Sequence, residues 1–192
     1  MLYFLQRQSS IPNTNIIYQA KQVCGEIGYA PYALPGSQAL GDTIALEFKK
    51  GFSAVIMENH GTVVGGTELS DAFQRFETLE FCARTEIYAS EIGKPNFLTD
   101  TEIEQYNAQI QKQFPEMEHT DHPSDEREKR LEICNIVKRA CQHGLMKSSF
   151  GTVSARWRGN DFLITPNGVP RWDLTTEDIV QIKDGKVQDR KS

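Results

Sequence analysis

The chain has no apolar run long enough to cross a bilayer, no cysteine pair at C-x-x-C spacing and no basic stretch. Each lack removes a class of function. The opening residues 1–6, Met-Leu-Tyr-Phe-Leu-Gln, are apolar but too short for a signal h-region or a membrane span. A protein entered in mid-strand begins this way, so the chain is expected to be a piece of something longer. Cys24, Cys82, Cys134 and Cys141 stand apart, three of them inside helix-like patterns. With no secretory segment ahead of them, reduced thiols in a cytoplasmic protein are expected rather than disulfides. The balance of 21 Lys+Arg against 26 Asp+Glu, a net charge of -5, argues against nucleic acid or an anionic membrane as partner. What remains is an ordinary globular composition: 192 residues, 39% hydrophobic and 24% charged, enough for one domain or two small ones.

The pattern interleaves helices and strands, which predicts an α/β fold. Residues 15–28 carry a helical stripe through Ile16, Ala20, Val23, Cys24 and Ile27, with Gly28 as its C-cap. Residues 30–36 read as a short strand and loop broken by two prolines. Ser37 caps a helix over 38–50 that stops at Gly51. Residues 53–57 fit a central strand and 62–64 a return strand, followed by Gly65-Gly66. A long helix then opens at Thr67 and Ser70-Asp71, with Ala72, Phe76, Leu79, Ala83 and Ile87 on its stripe. A polar helix over 99–114, started by Asp100 or Thr101, precedes residues 115–125, which have no hydrophobic period and read as a linker. Beyond it, Ser124 or Asp125 caps a helix with Leu131, Ile133, Val137, Ala140 and Cys141 inward, ending at Gly144. Strands at 151–156 and 161–165 flank the Arg158-Gly159-Asn160 turn, and Asp184-Gly185 marks a second hairpin. The expected organisation is a domain over 1–114, a linker over 115–125 and a second domain over 126–192.

Chemistry concentrates in two places. The run Ala54-Val-Ile-Met-Glu-Asn-His60-Gly61 delivers an imidazole from the end of a strand onto a glycine-flanked corner. His60 reads either as a corner histidine held by backbone bonds or as a positioned metal ligand, and the residues leave both open. A catalytic metal needs about three protein ligands and an open position, so one histidine is insufficient. His119 and His122 form H-x-x-H inside the linker and read as solvated residues. His143, beside Gly144, reads as a helix C-terminal residue. The second place is Gly151-Thr152 with Asn167-Gly168. Small residues on adjacent tight turns expose backbone N–H groups, which suits an oxyanion or phosphate as well as plain turn chemistry. Arg156 and Arg171 are candidate anion partners, and Glu58 a candidate base or supporting carboxylate.

At these residues the chain resembles the class II aldolase/adducin family, which includes zinc-dependent fuculose-phosphate and rhamnulose-phosphate aldolases. Ala30-Pro-Tyr-Ala33, Pro35-Gly-Ser37, Glu58-Asn-His60-Gly61 and Gly65-Gly66 resemble the C-terminal half of that domain. Gly144-Leu145, Gly151-Thr-Val-Ser-Ala-Arg156 and Leu163-Ile-Thr-Pro-Asn-Gly168 resemble its N-terminal half, with Thr152 where the family carries asparagine. The halves occur in reverse order, as in the end of one copy joined to the start of a second. The resemblance implies a three-layer αβα domain with a mostly antiparallel central sheet, present here as two partial domains. It implies His60 as a zinc ligand, Tyr18 as the catalytic tyrosine, and Gly151, Thr152, Asn167 and Gly168 around a substrate phosphate. The implied reaction makes or breaks a C–C bond in a sugar phosphate through an enediolate. Family epimerases and dehydratases, and adducin-like scaffolds without catalysis, are the alternatives. The chain contains no H-x-H and no S-S-E, where that family carries its other zinc ligands and its base. Alone, it is therefore expected to be inactive and to bind zinc weakly. Homo-oligomers are expected, with the two segments either packed as a pseudo-domain in cis or exchanged between copies.

Overall fold

Four consecutive apolar residues form the strand Ala54–Met57, β2, which is buried along its whole length. A strand buried on both faces needs cover on both, and its alternating side chains divide accordingly. Ala54 and Ile56 join Cys24, Ile27 and Leu79 in one core cluster, while Val55 and Met57 join Ala30 and Leu40 in another. The computed structural model describes residues 11–110 and 122–188. They fall into two units, Met1–Gln109 and Ile110–Ser192. Predicted features over 1–10, 111–121 and 189–192, including most of the expected linker and His119, lie outside the described residues.

In the first unit β2 pairs in parallel with β1 (Gly28–Ala30) and antiparallel with β3 (Gly61–Val64), giving the order β1-β2-β3. Helix α1 (Tyr18–Cys24) and the long α3 (Leu69–Ile92) contribute to one cluster, and α2 (Gln38–Lys49) to the other. This is a helix–sheet–helix sandwich. The expected single helix over 15–28 is instead a 3-10 turn at Thr14–Ile16 followed by α1. Ile17 between them is extended, with φ −144° and ψ 130°, and Gly25 ends α1 at φ +61°. Gly28 therefore starts a strand rather than ending a helix.

On α3 the buried residues are Thr78, Leu79, Cys82 and Ala83, whereas Phe76 is 38% exposed. The buried seam is narrower than the predicted stripe and rotated toward the 78/82 side. Arg75 ties the unit together: its Nε donates to the Val23 carbonyl, and its Nη1 donates to the Gly65 carbonyl and to Asp71. Helix α4 (Asp100–Ile110) is capped by Thr99, one residue before the predicted caps Asp100 and Thr101. The Thr99 N–H and hydroxyl both donate to the Glu102 carboxylate, and the Glu102 N–H returns to Thr99 Oγ1 at 3.3 Å, a reciprocal cap.

In the second unit α5 (Ser124–Gln142) packs against four antiparallel strands, β4 (Ser154–Arg156), β5 (Phe162–Ile164), β6 (Val180–Lys183) and β7 (Lys186–Gln188). Both predicted hairpins form. Asp184 and Gly185 both take positive φ, the backbone a two-residue hairpin turn requires. Ile133, Cys134 and Val137 meet Leu163, Leu174 and Ile179 in the core. Two features of the α5 prediction are corrected. Pro123, not Ser124 or Asp125, is the capping residue, and Leu131 is 52% exposed while Glu126 and Arg130 are buried. The inner face runs 126, 130, 133, 134 and 137, and its two charges enter the core as a pair at 2.7 Å.

Among the described residues no helix is long and apolar enough to cross a membrane.

Candidate functional site

His60 lies in the three-residue turn, Glu58 to His60, that joins β2 to β3. Met57 pairs with Gly61 to close the turn, and the His60 N–H donates to the Met57 carbonyl at 3.2 Å. Asn59 takes φ +54°, a left-handed value that asparagine tolerates better than most side chains. The sequence thus folds here as a corner because Asn59 can reverse the chain, and the reversal leaves His60 exposed. Of the two readings of Glu58, base or supporting carboxylate, its contacts favour the second. Its carboxylate accepts the Tyr32 N–H at 2.9 Å, and its own N–H donates to the Ala30 carbonyl. Burial, and then the hydrogen bond and charge of Glu58, push the Tyr29 phenol above its usual range. Glu58 is a strut that fixes the corner to the loop after β1.

Tyr18 opens α1 and stacks on Tyr106 of α4, with ring centroids 3.8 Å apart and planes tilted by 40°. Burial, followed by the charge and hydrogen bond of Tyr18, pushes the Tyr106 phenol up to about 12. The partner that the structure gives Tyr18 is therefore another tyrosine. His122 reaches Glu126 with its Nδ1 at 2.9 Å, so it belongs to the start of α5 rather than to a solvated pair. His143 is the residue that ends α5. Among the described residues no three His, Cys, Asp or Glu side chains converge as a metal-ligand set. A catalytic zinc takes three protein ligands plus an open position. The described residues do not fit that requirement, and His60 offers one imidazole.

The Gly151-Thr152 and Asn167-Gly168 turns are brought together. They extend from the paired ends of β4 and β5, whose register continues outward when the Thr165 N–H donates to the Val153 carbonyl at 3.0 Å. The Val153 N–H in turn donates to Thr165 Oγ1 at 3.2 Å. Gly151 has φ +85° and Gly168 φ +79°. A Cβ at Gly151 would meet the flexible end of Met146, Cε at 2.9 Å, which would have to move aside, and the left-handed backbone itself favours glycine here. Thr152, Asn167 and Gly168 are exposed. The neighbouring Ser148 is buried at φ +52°, an unusual backbone for serine.

The two candidate arginines turn out differently from a direct anion contact. Arg156 donates to the Gly159 carbonyl across its own hairpin. Arg171 is 3% exposed and lies behind the turns. Its Nε donates to the Gly151 carbonyl at 2.9 Å, its Nη1 to the Val169 carbonyl at 2.8 Å, and its backbone N–H to the Ser148 carbonyl at 2.8 Å. No periodicity marked this role, because it depends on three loops meeting.

A cleft of about 400 Å3 also went unseen in the sequence. Cys24, Gly25, Lys50, Gly51, Ser53 and Arg75 are among the residues that line it. Ser53 precedes β2 whereas His60 follows its other end, so the cleft and the histidine corner are at opposite ends of the strand. Its cations are already engaged, Arg75 as described and Lys50 with Glu47.

The model of the Class II Aldolase and Adducin N-terminal domain matches residues 2–87 and 131–192, well over half of the chain. The chain is 36% identical over 75 residues to 5-deoxy-D-ribulose 1-phosphate aldolase of Bacillus thuringiensis serovar kurstaki, across 39% of this chain and 35% of that protein. It is 34% identical over 79 residues to 3-oxo-tetronate 4-phosphate decarboxylase of Haemophilus influenzae, across 41% of this chain and 37% of that protein. It also aligns with a solved structure of L-fuculose 1-phosphate aldolase at 28% identity and TM-score 0.49, covering 58% of this chain and 51% of the other. The matched stretch spans little more than a third of the length of these curated relatives and about half of that solved structure.

Proposed function

The chain belongs to the class II aldolase and adducin family, and from that premise we propose that it is part of a protein that makes or breaks a C–C bond in a sugar phosphate. The observation that carries this reading is the meeting of the Gly151-Thr152 and Asn167-Gly168 turns at the ends of β4 and β5. Adjacent turns with small residues present N–H donors and a short amide and hydroxyl to one anion, which suits a phosphate monoester. The relatives support the same ligand chemistry, since both curated ones are named for a phosphorylated substrate.

In this reading His60 supplies one ligand to a divalent metal, zinc in the first instance, in the complete protein. Tyr18 serves as the proton-donating tyrosine there, and Thr152, Asn167 and the glycine N–H groups hold the phosphate. The rest of the metal set and the base come from parts of the protein outside this chain. The two expected domains, residues 1–114 and 126–192, correspond in this reading to the end of one domain copy and the start of the next. The protein works as a homo-oligomer, with no nucleic acid or membrane as partner. A chain with one histidine in place of a ligand set has no turnover by itself.

The relatives divide between aldol and decarboxylation chemistry, so the test reads both. The parent protein is assayed with 5-deoxy-D-ribulose 1-phosphate and with 3-oxo-tetronate 4-phosphate. Aldehyde release supports aldol cleavage, and carbon dioxide release alone, which also breaks a C–C bond, overturns the aldol form of the proposal in favour of decarboxylation. Zinc titration of the isolated chain checks the second claim. Tight stoichiometric binding that is lost in His60→Ala would show that further ligands exist. A non-catalytic, adducin-like binding role is favoured if the parent shows neither activity.

A further inference from the structure

Two arginines of the second unit are almost completely buried, and they are treated differently. Arg130, 1% exposed, has the Glu126 carboxylate at 2.7 Å. Arg171, 3% exposed, has no ion pair among the described residues and spends its donors on the neutral carbonyls of Gly151 and Val169. A guanidinium stays charged at any pH a protein meets, so this charge is neither neutralised nor removed by titration. A buried charge without a counter-ion is costly, and its field is weakly screened. Burial pulls the pKa of Arg171 down; the Cys141 thiol acts against that shift, and no carboxylate does.

The geometry also says which way that field is presented. The peptide between Gly151 and Thr152 is trans, so its C=O and N–H point in opposite directions. With the carbonyl bound to Arg171, the Thr152 N–H points away from the guanidinium, on a residue that is exposed. The same side chain holds the carbonyl of Val169, the residue after the Asn167-Gly168 turn. One buried cation therefore clasps both turns from behind and orients at least one donor outward.

We propose that Arg171 is the positioning residue of this anion site, and that a phosphate dianion seated on the two turns is the counter-charge it lacks. This rests on the phosphate reading of the turns given above. The ligand class is a phosphate monoester, bound by N–H groups and short polar side chains in front and by charge from behind. Arg171 acts through the backbone and through its field, without touching the ligand.

The test uses the full chain with inorganic phosphate as probe, at constant ionic strength, and reads affinity by calorimetry and the Arg171 Nε–H resonance by NMR. In the wild type, phosphate binds and shifts that resonance. Arg171→Met loses affinity at least about tenfold, and Arg171→Lys, which keeps the charge but not the two-carbonyl clasp, recovers part of it. Arg156→Met, an exposed arginine bound to its own hairpin, leaves affinity unchanged. If the wild type binds no phosphate at millimolar concentration, the phosphate reading falls and the inference with it. If the wild type binds and a folded Arg171→Met binds equally well, the inference alone is overturned. Should Arg171→Met not fold, an Arg171 resonance that stays still while phosphate saturates the wild type overturns it.

Discussion

Gly151 shows how much one residue can decide. Its φ of +85° suits glycine, and the Met146 side chain fills the space where a Cβ would project. Gly151→Ala should therefore cost about 1–3 kcal/mol, from backbone strain plus displacement of Met146. A fall in the urea midpoint of that size, with an unchanged slope, is the expected result. The buried thiols make a second prediction. Burial pushes Cys24 and Cys82 up from 9.0 to about 12. The folded chain thus holds both protons where the unfolded chain would release them. Their contribution to stability is complete below pH 9 and is lost as the pH rises toward 12. Denaturant midpoints should fall between pH 9 and 11, and iodoacetamide at pH 8 should label half-buried Cys141 while sparing Cys24 and Cys82 in the folded chain.

Helix α5 carries the clearest case of an element whose partner set its inner face. Residues 126 and 130 lie one turn apart on the stripe that continues through Ile133, Cys134 and Val137. Arg130 Nη1 donates to the carbonyls of Thr176 and Ile179, so the ion pair fastens α5 to the segment before β6. Removing the Glu126 charge leaves the buried Arg130 guanidinium without its carboxylate. Glu126→Gln should cost about 3–5 kcal/mol, whereas the double change Glu126→Leu with Arg130→Met should cost less than either single loss. Chemical denaturation of Glu126→Gln, Arg130→Met and the double variant measures the difference. The strands of this unit were legible because the hairpin turns carry their own backbone requirements, as at Asp184-Gly185. The α5 face was not, since apolar periodicity favours Leu131 and has no means of registering a charge pair that becomes buried only when the sheet arrives. Helix α1 was misread for a related reason. The extended Ile17 and the early stop at Gly25 interrupt a stripe that, by spacing alone, runs on to Gly28.

The chain as a whole has separate cores in its two units, around Leu79 in one and Leu163 in the other, both 0% exposed. Leu79→Ala and Leu163→Ala should each cost about 2–5 kcal/mol. If the units fold independently, each substitution lowers one calorimetric transition and leaves the other in place; a single transition lowered by both would show one cooperative body.

The amino-acid sequence by itself determined the α/β class, the corner at Asn59-His60, the glycine turns at 151 and 168 and the family, because these rest on local periodicity, turn-forming residues and short motifs. Tertiary structure alone decided that Glu58 is a strut, that Tyr18 faces Tyr106, and that Arg171 clasps two turns from behind. Each of those outcomes depends on groups distant in the chain arriving at one place. A buried guanidinium and an exposed one are the same letter until the loops around it have closed.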